Sequence, residues 1–173
     1  MQNWSEAGVA IGRFLRKAVE ESEMIDVTAA VIARGGRVLL CQRPQGKHCA
    51  GLWEFPGGKA EPGETLEACL ARECREELDI ELRVGRALAC VTRDGLRITF
   101  FSARIARGEP QLREHSALAW VTPGQARAYA LCPSDAKMLA QTAPQALLAG
   151  ETMQGSAKED TEEIVSEKTE ETP

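Results

Sequence analysis

The sequence predicts an α/β fold: a mixed β-sheet covered by helices on both faces. Three observations carry this. Apolar, β-branched runs come in pairs around turn residues, VTAAVIA and RVLLCQR about Gly35-Gly36, then ELRVGRALACV and LRITFFSARI about Arg93-Asp94-Gly95. Between the two pairs, the stretch from Gly57 to Ile80 reads as a central helix entered through a glycine loop. The order of strands, helix, strands and a final helix then asks for helices on either side of one sheet.

Taken in order, residues 1–24 allow an amphipathic helix with Ala7, Ala10, Ile11, Phe14, Leu15 and Ala18 along one stripe. It either docks on the domain or a partner, or is an extension without a role. The folded domain is expected over residues 25–148. Within it LWEF is a short strand leading into the glycine loop, SALAWV is a further strand, and two helices start near Pro123 and near Ser134. Residues 149–173 form an acidic tail without aromatic residues, whose composition is that of a disordered segment.

Composition narrows the class. The 173 residues suit one domain with a real core, and no apolar run approaches the ~18 residues of a membrane helix. Arg13, Arg16 and Lys17 break the N-terminal apolar stretch, so no signal peptide is expected and the location read is cytoplasmic. The six cysteines include no C-x-x-C pair and sit among apolar neighbours, which favours reduced, buried thiols over disulfides or zinc. The net charge of −5 comes from the tail, since residues 151–173 hold eight acids and two lysines. The rest is close to neutral, with no basic stripe, so duplex nucleic acid is not an expected partner.

The chemistry concentrates in GGKAEPGETLEACLARECREELDI, residues 57–80. At about 100° per residue, Leu66, Cys69, Leu70, Glu73, Glu76, Glu77 and Ile80 share one arc, which begins apolar and turns acidic. Three glutamates in a helix ordinarily form a solvated face. Here they share a face with Leu66 and Leu70, and like charges on a half-buried face need a cation between them. A hard divalent ion such as Mg²⁺ is the simplest candidate. Arg72 follows the arc by about a third of a turn, better placed to orient Glu73 than to bind a substrate.

The spacing of Gly58, Glu64, Arg72, Glu73, Cys74, Glu76, Glu77 and Ile80 resembles the Nudix box, G-x5-E-x7-R-E-U-x-E-E-x-G-U with U apolar. One letter departs: Asp79 stands where the family has glycine, and Asp is among the few residues that tolerate the left-handed backbone expected at that helix end. VLLCQRP, AGLWEFPGGK, EHSALAWVTP and LCPSD extend the likeness to the MutT branch of the Nudix hydrolases, over roughly residues 25–145. Within that branch the chain is similar to (deoxy)cytidine triphosphate pyrophosphohydrolases and 8-oxo-dGTP diphosphatases.

The resemblance implies an α/β/α Nudix sandwich, monomeric or homodimeric, that hydrolyses a nucleoside triphosphate to monophosphate and pyrophosphate with Mg²⁺, or Mn²⁺ in its place. By position it makes Glu73, Glu76, Glu77 and the Gly57 carbonyl metal ligands, with Arg72 supporting them. Glu114 completes the metal site or serves as base. Arg43 and His48 match phosphate-contacting residues. Phe55, like Trp53, is either core or a stacking surface for a base. Asp135 matches the residue that reads the base edge, though Ser134 or Asp135 after Pro133 also suits a helix N-cap. A carboxylate there accepts from the amino group of cytosine, and if protonated it also donates to the carbonyl of an oxidised purine. Two other readings compete, a hydrolase of larger nucleoside diphosphate derivatives and a non-catalytic nucleotide-binding Nudix module; the intact Arg72, Glu73, Glu76 and Glu77 weigh against the latter.

Overall fold

The computed structural model describes residues 24–152 and, ahead of them, Ala10. The expected N-terminal helix and the tail beyond Thr152 lie outside the described residues. Strands β1 (Ile25–Arg34) and β2 (Arg37–Gln42) form the first hairpin, paired at Ala33 with Val38 and at Arg34 with Arg37. Gly35 and Gly36, with φ of 59° and 71°, take the left-handed conformation that such a turn demands.

Away from the turn the two strands part. The chain from Trp53 to Ala60 runs into the opening between them. There β3 (Trp53–Glu54) pairs with β2, and the glycine loop bonds to β1 through Thr28 N–H to Gly58 O, Ala30 N–H to Pro56 O and Ala60 N–H to Asp26 O, at 2.8–2.9 Å. The other side of β1 lies parallel to β5 (Leu96–Arg107), from Ile25 beside Leu96 to Ile32 beside Ala103. The second expected hairpin is present, β4 (Glu81–Arg93) with β5, turning at Asp94-Gly95. β6 (Ala117–Val121) pairs with the outer side of β2. The path β3-β2-β1-β5-β4 leaves β4 at an edge, where three register shifts interrupt its pairing, a common way of blunting an exposed edge.

Alternation along β1 sorts the core into two layers. Ala30 and Ile32, with Leu39, Cys41, Phe101 and Ala103, face α1 (Leu66–Leu78) through Leu70, Cys74 and Leu78. Ala29, Val31 and Ala33, with Leu40, Val91 and Phe100, face α2 (Pro123–Ala126), α3 (Pro133–Gln141) and α4 (Pro144–Leu147). Helix α4 has no counterpart in the sequence reading. Residues 149–152, placed by composition in the tail, lie on the fold: Glu151 accepts from Gly36 N–H at 2.7 Å, and Gly150 packs so close to the Ala103 carbonyl that no side chain fits. Among the described residues no helix is long and apolar enough to cross a membrane.

Helix α1 starts at Thr65, whose hydroxyl accepts from Ala68 N–H at 3.2 Å, and stops at Asp79 in the left-handed conformation, φ 59° and ψ 37°. The departure from glycine therefore keeps the turn. Asp79 also pairs with Arg113 at 2.7 Å across exposed surface, a contact of small value. Asp79→Ala is expected to lose about 1 kcal/mol, the cost of a left-handed alanine, while Asp79→Gly stays near neutral. Urea unfolding of both variants measures the difference.

Candidate active site

Arg72 organises the acidic helix. Its Nε and Nη2 donate to the two oxygens of Glu64 at 3.0 Å each, and Nη2 also reaches Lys59 O at 3.2 Å. Nη1 donates to Glu73 at 2.9 Å and to Glu76 at 3.2 Å. Glu64 and then Glu73 hold the guanidinium above even its ordinary range, and Arg72 in turn holds Glu64 below the usual carboxylate range. The box glutamate and arginine are thus one bidentate pair that braces the loop before α1 against its second turn. Gly58 is the counterpart of Glu73, because a Cβ at residue 58 would fall on the Glu73 carboxylate.

The stripe of α1 that meets the sheet is Cys69, Leu70, Cys74 and Leu78, rotated from the arc expected. The apolar Cys74 and Leu78 set the helix phase, so the acids flank the buried stripe. The Glu73 side chain is 17% exposed, whereas that of Glu76 is 54% exposed, which corrects its expected inward position. Glu77 turns under the loop that follows β5, where Arg113 N–H bonds the Glu77 carbonyl at 3.3 Å. Its Oε2 is buried without a hydrogen-bond partner, and burial raises its carboxyl to about 7 against the pull of nearby His115.

The same loop carries Glu114 and His115. Glu114 is half exposed and held by Lys47 at 2.8 Å, which lowers its carboxyl below the ordinary value. His115 is buried, its Nε2 3.4 Å from Glu54 Oε1 and its Nδ1 without a partner. Neither His115 nor Glu54 was singled out by sequence. Glu54 takes Arg43 Nη1 on both oxygens, at 2.6 and 2.8 Å, and outweighs the burial that opposes the arginine's charge. Arg43 Nε also donates to the His48 carbonyl at 2.5 Å, leaving the exposed His48 ring beside Cys49 Sγ.

Asp135 lies in the first turn of α3 at 6% exposure, but it does not cap the helix. The N-cap is Cys132, whose side chain makes no capping bond, and Asp135 Oδ1 accepts from Phe55 N–H across the interface at 2.9 Å. Burial raises its carboxyl to about 7 despite that bond. The Phe55 ring is core, edge-on to Phe100 at 6.2 Å between centroids, while its backbone N–H holds Asp135. Trp53 ties β3 to the approach of α3, with Trp53 N–H to Ala130 O and Cys132 N–H to Trp53 O at 2.8 Å each.

Two groups result. Gly57, Gly58, Arg72, Glu73, Glu76 and Glu77 gather on the loop and α1, with Glu114 at the rim. Arg43, Glu54, His48 and Asp135 gather around β3. Among the described residues, no three carboxylate, imidazole or thiolate groups already converge as a metal cage. The donor chemistry fits a hard divalent ion all the same, because the acids on α1 include a buried oxygen with no partner.

A mixed sheet between helical layers, with an acidic helix behind a glycine loop braced by one arginine, defines a Nudix-type α/β/α sandwich. The chain belongs to the Nudix family, the NUDIX domain matching residues 23–142, and it is a Nudix hydrolase of MutT type. It is 45% identical over 121 residues to a CTP pyrophosphohydrolase of Escherichia coli, covering 68% of this chain and 90% of that protein. A putative 8-oxo-dGTP diphosphatase 2 of Mycobacterium tuberculosis is 38% identical over 138 residues, 76% of this chain and 92% of that one. Among solved structures, the E. coli ORF135 protein superposes with a TM-score of 0.61 at 40% identity, covering 78% of this chain and 95% of that chain. Nudix hydrolases generally require a divalent metal.

Proposed function

We propose that the chain hydrolyses nucleoside triphosphates to monophosphate and pyrophosphate, clearing modified or oxidised species such as 8-oxo-dGTP or (d)CTP derivatives from the cytoplasmic pool. The observation that carries this reading is an acidic helix holding a buried, unpartnered carboxylate oxygen, together with a second buried carboxylate, Asp135 on α3, held by the Phe55 N–H just after β3. The similarity to the CTP pyrophosphohydrolase over most of that protein's length supports the substrate class.

Glu73, Glu76 and Glu77, with the Gly57 carbonyl and Glu114, would hold Mg²⁺, or Mn²⁺ in its place. When bound, that ion supplies the positive charge that neutralises the transferring phosphate oxygens. Arg72 keeps Glu64, Glu73 and Glu76 in register, and Gly58 leaves the Glu73 carboxylate its space. Arg43, fixed by Glu54, presents a cation for the phosphates, with His48 next to it on the loop. Glu114 has to leave Lys47 before it takes a proton. Asp135, near neutrality, meets a base as acceptor when ionised and as donor when protonated.

A kcat/KM panel over normal, methylated and oxidised triphosphates tests this, with orthophosphate measured before and after adding pyrophosphatase. Orthophosphate is expected only after the addition; its direct release, or no turnover of any triphosphate, refutes the reading. Gly58→Ala provides a local check. The added methyl displaces the Glu73 carboxylate, and a shift of about 1 Å costs on the order of a hundredfold in rate, with unchanged circular dichroism.

A further inference from the structure

Two cysteines stand on either side of the Arg43–Glu54 pair. Cys49 stands in the turn that brings residues 44–52 back to β3, with a left-handed backbone (φ 59°) and its carbonyl accepting from Leu52 N–H at 3.0 Å. Cys132 is held from the other direction by its N–H on Trp53 O at 2.8 Å. Arg43 N–H on Leu52 O, at 2.9 Å, closes the base of the loop. Arg43 joins the two segments, its Nε donating to the His48 carbonyl and its Nη1 to Glu54. The Cys132 thiol donates to Glu54 Oε2 at 3.8 Å, Cys49 Sγ lies 3.6 and 3.8 Å from the His48 ring nitrogens, and the two thiols are near enough for each to feel the other's charge.

We propose that Cys49 and Cys132 are a modification site, forming a reversible disulfide under peroxide that fastens the 44–52 loop to the start of α3 and suppresses turnover. The second half rests on the hydrolase reading above. Of the other cysteines, Cys41, Cys69 and Cys74 are buried in the core under α1, and Cys90 is exposed on the edge strand β4. Cys49 is the half-exposed member of the pair and meets the oxidant first; burial pushes the Cys132 thiol up and leaves it the resolving partner.

Cys49 sulfur attacks the O–O bond of hydrogen peroxide, giving a sulfenic acid and one water, with a His48 nitrogen placed to accept the thiol proton. Cys132 sulfur then attacks the sulfenic sulfur. The S–S bond forms, the S–OH bond breaks, and the hydroxyl leaves as a second water with the Cys132 proton, for which Glu54 is the neighbouring acceptor. Two thiols lose two hydrogens and one peroxide is reduced to two waters. The link joins the loop bearing His48, anchored at Arg43, to the helix bearing Asp135, and so restrains the two segments that carry the proposed substrate contacts. A transient, sensing role suits a disulfide in a reducing compartment.

The test treats the full chain with a small molar excess of hydrogen peroxide and maps peptides without reduction. Expected are a Cys49–Cys132 peptide, an intact mass lower by two hydrogens, and triphosphate turnover at least about tenfold down, all reversed by dithiothreitol. Cys49→Ser is expected to keep the same rate with and without peroxide. Oxidation of Cys49 to sulfinic acid without the link, links through other cysteines, or a linked protein as active as the reduced one overturns the proposal. A chain that is linked but inactive even when reduced refutes the hydrolase reading and the switch together, whereas an active chain that never links refutes the disulfide alone.

Discussion

Glu77→Gln is expected to abolish most turnover, by more than about a hundredfold, the scale of a lost electrostatic contribution to the transition state. The metal-free variant is expected to be more stable than the parent. The sign follows from the raised carboxyl: the folded chain holds this proton up to about 7, whereas an unfolded chain releases it near the ordinary value of 4.5. Ionisation therefore costs the fold an amount that grows as pH rises from about 4.5 to about 7 and is constant above, at most about 3 kcal/mol. Glutamine removes that cost. Thermal melts in a chelating buffer are expected to coincide at pH 4 and to separate in favour of the variant at pH 8. A near-normal rate at saturating Mg²⁺ sinks the metal-site reading, and superimposable melts at pH 8 remove the buried-carboxylate argument.

Asp135→Ala is expected to change the ranking of triphosphates much more than it changes metal dependence. A base group left without its partner costs roughly 1–3 kcal/mol, or about ten- to a hundredfold in relative kcat/KM. The variant also strands the Phe55 N–H, which Oδ1 satisfies in the parent, so its melting temperature is expected to fall. Asp135→Asn keeps an acceptor for that N–H and both donates and accepts without a trapped proton. It is expected to be milder, most of all on an oxidised guanine. The same substrate panel on parent, Asn and Ala variants checks this. An unchanged ranking with a lowered melting temperature reduces Asp135 to a strut between α3 and β3.

What sequence made legible here is local. The glycine and Asp-Gly turns marked both hairpins, and fixed spacings from Gly58 to Glu77 marked the acidic helix, because partners within a few turns leave a periodic trace. The phase of that helix was read less well: counting Glu76 into the inward arc overlooked how strongly Cys74 and Leu78 pull toward the sheet. Glu54 escaped notice because it sits in a two-residue strand between aromatic residues and takes its meaning from Arg43 and His115. His115 adjoins Glu114 in the chain, but nothing in the sequence shows that the neighbour is half exposed and the histidine buried. Asp135 showed its position in the chain but not its partner, a backbone N–H 80 residues away that no pattern in α3 announces.

The two groups around this site also differ in how they can be inherited. Gly57 to Glu77 is one unbroken stretch, so a single segment of coding sequence carries the acidic helix, its bracing arginine and the glycine that makes room for Glu73. Arg43, His48, Glu54 and Asp135 come from separate places and meet around β3, which enters the gap between β1 and β2. The first group can therefore be transplanted as one segment, whereas the second exists only once the sheet has formed. The parting of one hairpin is what uncouples them.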